Sequence, residues 1–158
     1  MTLEELQQTA EKDLKMDNLE LGDESLKSAQ LHQKYLTIYN NFRQLVLMNE
    51  GTYNVLKRKK WEYYGGKSSP EVYRDNPFDH KILKQDIPLY LDSDEELIKA
   101  KQKVEYYKMC QDSCERILKQ IQSRGWDIKN AIEWRKFVDG AIWGIVNHTS
   151  VSYTHLRA

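Results

Sequence analysis

Between Ser25 and Tyr64 the chain runs 40 residues without a proline and with a single glycine, Gly51. Proline would remove a backbone donor and clash with the preceding turn, so its absence leaves a helix free to continue. Leu31, Tyr35, Ile38, Phe42 and Leu45 recur at alternating steps of four and three, the a/d seam of a coiled coil. Asn49 and Thr52 then interrupt the seam before it resumes at Leu56. Polar residues at such positions set register or oligomeric state, or weaken the pairing. An unbroken helix of this length spans roughly 60 Å. One 18.8 kDa chain cannot hide an apolar stripe that long within itself. The stripe needs a partner, in this chain or another.

The flanking segments extend the helical reading. Thr2 and Glu5 fit a capping box, and Leu3, Leu6, Ala10 and Leu14 keep a helical period. An acidic connection with Gly22 follows over residues 17–23. Gly65-Gly66 ends the long helix, since successive glycines permit the left-handed stop. Residues 65–93 hold all three prolines, Pro70, Pro77 and Pro88, and read as a long mobile loop. Within it, residues 87–91 suggest a short extended piece that Pro88 confines to an edge. Ser93 and Glu96 form a second capping box. The helix it opens runs to about residue 123, with Leu97, Ala100, Val104, Tyr107, Cys114, Leu118 and Ile121 inward. Gly125 is the expected stop. A shorter helix over residues 127–139 carries Ile128, Ala131, Ile132 and Val138, with Trp134 and Phe137.

Three prolines and seven glycines in 158 residues also argue against a turn-rich all-β fold. The expected class is all-α, with long helices in a hairpin-like arrangement joined by the Gly/Pro-containing loop. Residues 1–140 form one helical domain: an acidic arm (1–24), a long helix (25–64), a loop (65–93) and C-terminal helices (94–139). Residues 141–158 form an extra tail. Trp143, Ile145 and Val146 continue the last helix, whereas residues 150–158 lose the period and read as translated adapter sequence. No 18-residue apolar run suits a membrane span, and the N-terminus lacks a basic-then-apolar leader.

Net charge is zero, yet the charges are segregated. Residues 1–24 carry 2 bases and 8 acids, and residues 25–74 carry 9 bases and 3 acids. Residues 75–96 reverse this with 2 bases and 7 acids, and residues 97–158 hold 11 bases and 6 acids. A polyanion meets basic blocks separated by acidic ones.

The strongest chemical signal is NVLKRKKWEYYGGK, residues 54–67. Lys57, Arg58, Lys59 and Lys60 are consecutive, Trp61, Tyr63 and Tyr64 follow, and Lys67 lies beyond the glycines. On a helix, Tyr53, Lys57, Lys60 and Tyr64 share a stripe with Trp61 beside it. Cations neutralise phosphates, and aromatic faces accept stacked bases of any identity, a combination suited to single-stranded nucleic acid. A solvated basic face with seam aromatics is the competing reading of the same residues. No helix-turn-helix or zinc-finger spacing supports sequence-specific duplex recognition.

Other chemistries find little support. His32, His80, His148 and His155 are scattered, with no second ligand at metal spacing. Cys110 and Cys114, four apart on one helix, read as buried thiols on its inner face. The acids of residues 92–96 complement a helix N-terminus and lack the glycine and length of a calcium loop. No GxxxxGK phosphate loop is present. Neither an enzyme, a cofactor site nor a metal site is expected.

Several pieces together resemble the UvsY-type recombination mediator family of T4-like bacteriophages. These are the opening MTLEELQ, the helix ending LKRKKWEYYGG, the cysteine-bearing helix and SRGWDIKNAIEWRKF at 123–137. The resemblance covers about residues 1–140. It implies a non-enzymatic factor that binds single-stranded DNA in the cytoplasm of the infected bacterial host. It also implies loading of a phage RecA-like recombinase onto strands covered by phage single-strand-binding protein. A ring-like homo-hexamer or homo-heptamer is implied too, which gives the apolar stripe its partner. The family's DNA-contacting basic positions fall on Arg58 and Lys60, and Lys57 and Lys59 add charge beside them. The full expected DNA-binding set is Lys57, Arg58, Lys59, Lys60, Tyr63, Tyr64 and Lys67. Trp61 stands where the family accepts an aliphatic residue, which implies packing. The alternative is a non-enzymatic helical scaffold whose basic block binds an acidic protein or another subunit's acidic arm.

Overall fold

The structure, a computed structural model, describes the backbone of residues 1–155 and the side chains of residues 1–147. It is helical nearly throughout, with no strand among the described residues. Among the described residues the five α-helices are α1 (Leu3–Asp13), α2 (Leu21–Tyr64), α3 (Pro70–Asp75), α4 (Ile87–Asp92) and α5 (Glu95–His155). A 3₁₀ turn, Lys84–Asp86, leads into α4. The all-α class expected from the sequence is therefore the class observed.

Five features of the elements differ from expectation. Helix α2 starts four residues before Ser25, because Leu21 is buried and anchors the first turn through Gly22. The 65–93 segment carries short helices where a plain loop was expected. Residues 87–91 are helical, not extended. Pro88 falls in the first turn of α4, where its missing N–H costs no helical bond. The cap of α5 is Asp94, not Ser93: its Oδ1 accepts the Leu97 N–H at 3.0 Å, while the Ser93 hydroxyl turns back to the Leu89 carbonyl at 2.9 Å. Finally, Gly125 does not end a helix. Buried Ile121, Arg124 and Ile128 bracket it on one face and hold α5 through it. The same helix continues to His155, so residues 150–155 are helical despite their lost period, and residues 156–158 lie outside the described residues.

Two compact units divide the chain. The first comprises Met1–Leu3 and Thr37–Cys114. Within it, Tyr39 pairs with Gln111, Phe42 with Tyr107 and Tyr64 with Asp94. Position falls along α5 as it rises along α2, so these two helical segments run antiparallel. Phe42, Val46, Val104, Cys110 and Cys114 are buried along them, and Ile87, Leu91 and Leu97 form a cluster nearer the end of α2. Both cysteines are thus inward, as their placement predicted. The Leu3 N–H donates to the Tyr106 hydroxyl at 3.0 Å, tying the chain's start to this unit.

The second unit comprises Glu4–Leu36 and the described residues from Glu115 onward. Its core is Leu6, Ala10, Leu21, Tyr35, Ile117, Ile121 and Ile128. Asp13 accepts hydrogen bonds from Lys34 at 2.7 Å and from the Tyr35 hydroxyl at 2.8 Å. Glu24 and Arg124 form a buried ion pair in the same unit.

Candidate nucleic-acid interface

The last turns of α2 separate the basic-aromatic run into an outer and an inner face. Lys57, Arg58 and Lys59 are exposed, whereas Lys60 is only 20% exposed at its side chain. Arg58 Nε lies 3.9 Å from Glu62 Oε1, a loose pairing one helical turn on. Lys60 Nζ instead lies 3.3 Å from Asp94 Oδ2 and 3.5 Å from Glu96 Oε1.

The stripe of Tyr53, Lys57, Lys60 and Tyr64 read from the sequence therefore does not face one way. Tyr53, Leu56, Trp61 and Tyr64 pack against the Ile87, Leu91 and Leu97 cluster. The coiled-coil seam, resumed at Leu56, carries on inward through this stretch. Lys60 sits on the inward side because two carboxylates at the start of α5 compensate its charge. Trp61 packs, as the family likeness implied, and Lys67 Nζ covers its ring at 4.8 Å from the centroid.

The tyrosines are engaged within the protein. Tyr63 stacks on Tyr73 at 5.5 Å between centroids, with an interplanar angle of 18°. Its hydroxyl donates to the Asn76 carbonyl at 3.0 Å. Tyr64 meets Phe78 edge-on at 5.2 Å and Tyr90 at 5.5 Å. Tyr73 closes the loop back on α2 by donating to the Tyr63 carbonyl at 2.8 Å. These bonds, with the left-handed Gly66 (φ +74°), turn the chain sharply after Tyr64. The Lys67 N–H then reaches the Glu62 carbonyl at 2.8 Å, the six-to-one bond of a glycine stop.

Asp94 is the joint of the site. Burial alone would raise its pKa, but hydrogen bonds from Tyr64, the Leu97 N–H and Lys60 outweigh burial and hold the carboxyl below its usual range. Tyr64 moves the other way: burial, then its bond to the Asp94 carboxylate, push the phenol well above its ordinary value. Beside this joint lies a pocket of about 580 Å³, lined among others by Lys59, Lys60, Lys67, Ser68, Ser69 and Glu96. Among the described residues, no group of three or more His, Cys, Asp or Glu could hold a metal, and no helix is long and apolar enough to cross a membrane.

With this geometry in place, known proteins give it a family. The family model described as "Recombination, repair and ssDNA binding protein UvsY" matches residues 9–141. The chain belongs to the UvsY family. It is 26% identical over 140 residues to "Recombination protein uvsY" of Enterobacteria phage T4, covering 89% of this chain and 99% of that relative. Crystal structures of the bacteriophage T4 recombination mediator protein UvsY are similar as well. Lattice type II gives a TM-score of 0.79 at 26% identity, covering 88% of this chain and 98% of that one. Lattice type I gives 0.76 at 25% identity, with 84% and 98% covered.

Sequence reasoning missed the other half of this arrangement. Asp94 and Glu96 were read only as acids favouring a helix start, and nothing was assigned to Tyr73, Phe78 or Tyr90. A usable signal was present, since three aromatic residues in a segment expected to be a mobile loop need somewhere to pack.

Proposed function

We propose that this chain is a recombination mediator that binds single-stranded DNA through the basic end of α2. One observation supports this most: Lys57, Arg58 and Lys59 stand exposed together, with Lys67 exposed just past the turn, in a member of a family described as ssDNA-binding. Lys57, Arg58, Lys59, Lys60 and Lys67 meet phosphates, while Tyr63 and Tyr64 shape the platform that presents them. The partners in this reading are a phage RecA-like recombinase and phage single-strand-binding protein, met in the cytoplasm of the infected host. The bound strand passes from the latter to the former without covalent chemistry by this chain. Self-assembly into a ring would repeat the basic end around one assembly, so weak contacts multiply through effective concentration. Exposed Trp134, Phe137, Ile142 and Trp143 on α5 support such self-association.

Reversing Arg58 and Lys59 to glutamate tests the reading. Binding of a labelled oligothymidylate should fall below detection, while light scattering still reports the wild-type mass. Recombinase ATP hydrolysis on strands coated with single-strand-binding protein should lose its stimulation in parallel. Strand binding that survives the double reversal would remove the basic end of α2 as the interface.

A further inference from the structure

We infer that the pocket beside Lys60 is a seat for one phosphodiester group of the strand, and that Glu96 is its built-in competitor. This rests on the single-strand-binding reading above and adds how that site is regulated. The two carboxylates on Lys60 are not equivalent. Asp94 is 5% exposed at its side chain and is tied by the Tyr64 hydroxyl and the Leu97 N–H, so it stays in place. Glu96 is 68% exposed, reaches Lys60 at 3.5 Å and stands on the pocket rim. A long, exposed carboxylate can turn away at little cost, because such ion pairs are weak in water.

A carboxylate oxygen and a phosphate oxygen are equivalent acceptors to an ammonium group. When Glu96 swings out, Asp94 still fixes Lys60, which lines the pocket. Lys59 and Lys67 line the same pocket, as do Ser68 and Ser69. An entering phosphate therefore exchanges one anion for another at Lys60 and adds two further cations. Glu62, the other lining acid, is drawn toward Arg58. The consequence is a strand held less tightly than the count of lysines suggests, with a side chain ready to retake Lys60 as the phosphate leaves. That suits a protein whose ligand has to be passed on.

The experiment is a titration of labelled oligothymidylate with the full chain and four variants: E96Q, E95Q, K60Q and K60Q/E96Q. Glu95 is the control because it removes the same charge from the adjacent position. E96Q should bind about two- to five-fold tighter than wild type, the range of one exposed ion pair. E95Q should gain clearly less, and K60Q/E96Q should be no tighter than K60Q, since the two effects act through one contact. A gain in E96Q no larger than in E95Q overturns the inference. So does a gain that persists without Lys60. Thermal melts check folding, and if K60Q melts early, the comparison of E96Q with E95Q decides alone. Wild-type chain that ignores the strand would remove the binding reading itself; wild type that binds, with E96Q equal to E95Q, removes only the competitor.

Discussion

Tyr64 donates its hydroxyl to Asp94 Oδ2 at 2.6 Å, joining the last residue of α2 to the cap of α5. The same carboxylate caps the Leu97 N–H and pairs with Lys60, so one buried side chain serves three donors. Replacing Asp94 with alanine should cost about 2 kcal/mol or more, combining a lost cap with donors left unmatched. Tyr64→Phe should cost about 1 kcal/mol, because the ring stays packed. The pH dependence follows from the direction of the shift. Asp94 is held below its usual range when folded, so its contribution is fully present above the unfolded value of about 4. That contribution disappears as pH falls through the folded value. Denaturant midpoints from neutral to acid pH should therefore drop less steeply in Asp94→Asn than in wild type. Equal slopes would contradict the assignment of Asp94 as a low-pKa joint.

Salt dependence separates contacts from scaffolding among the lysines. Each phosphate neutralised on a single strand contributes about −0.7 to the slope of log affinity against log salt. Three phosphates per chain, one each at Lys57 and Arg58 and one shared by Lys59, Lys60 and Lys67, give a slope near −2, again about −0.7 for each. Arg58→Gln should weaken binding and reduce the slope by about one contact's worth. Tyr63→Phe should leave the slope alone, since its hydroxyl is directed to the Asn76 carbonyl. Fluorescence titrations at several salt concentrations read both numbers. A Tyr63→Phe variant with the slope of Arg58→Gln would contradict the division.

Periodicity made the two long helices legible, because apolar side chains spaced for burial reveal their own face. Tyr35, Phe42, Val104, Cys114 and Ile121 all proved buried. The exposed half of the basic run was legible for the complementary reason: consecutive cations such as Lys57, Arg58 and Lys59 cannot all turn inward, because charged side chains are rarely buried unpaired. Lys60 was not legible. Its acids lie 34 and 36 residues away, and only the antiparallel packing of α2 on α5 brings them within reach. Likewise, Tyr63 and Tyr64 looked available for bases because their ring partners, Tyr73, Phe78 and Tyr90, come from a segment without a helical period. Local patterns report which face is buried. They do not report which distant side chain arrives to meet it.

The buried pair of Glu24 and Arg124 makes a separate prediction in the second unit. Arg124 is 2% exposed, and its Nε and Nη1 have no hydrogen-bond partner among the described residues. Removing one member should leave the other charge buried and uncompensated. Glu24→Ala is therefore expected to destabilise by about 3–5 kcal/mol. Replacing both with apolar residues of similar volume, as in E24L/R124M, should recover most of that loss, since desolvation of the pair is then avoided. Urea midpoints of the two variants give the comparison. A double variant as unstable as Glu24→Ala would show that the pair does more than offset its own burial.

The cysteines report on the first unit from inside. Burial pushes the Cys114 thiol up to about 11, with the nearby Cys110 adding to the rise, and burial raises Cys110 as well. Only the thiolate reacts with disulfide reagents, so at about pH 8 both should be nearly inert in the folded chain. Addition of urea through the unfolding transition should release two reactive thiols together. Rapid labelling of Cys114 in native buffer would place that stretch of α5 outside the core.

Two glycines that look alike in the sequence should respond oppositely to the same substitution. Gly66 adopts φ +74°, the left-handed conformation that lets the chain turn after Tyr64. An alanine there has open space for its methyl group but pays the backbone strain, about 1–2 kcal/mol. Gly125 lies within α5, and a Cβ added to it meets nothing within 4 Å. Alanine at that site restricts the unfolded chain and suits the helix, so it should stabilise by about 0.5–1 kcal/mol. For a chain of this size each kcal/mol moves the melting temperature by about 2–4 °C. Gly66→Ala should therefore melt below wild type and Gly125→Ala above it. Because Gly66 also sets the turn that carries Lys67 over Trp61, its variant should lose strand affinity, whereas Gly125→Ala should keep it. A Gly125→Ala variant that melts lower would mean that α5 is interrupted there after all.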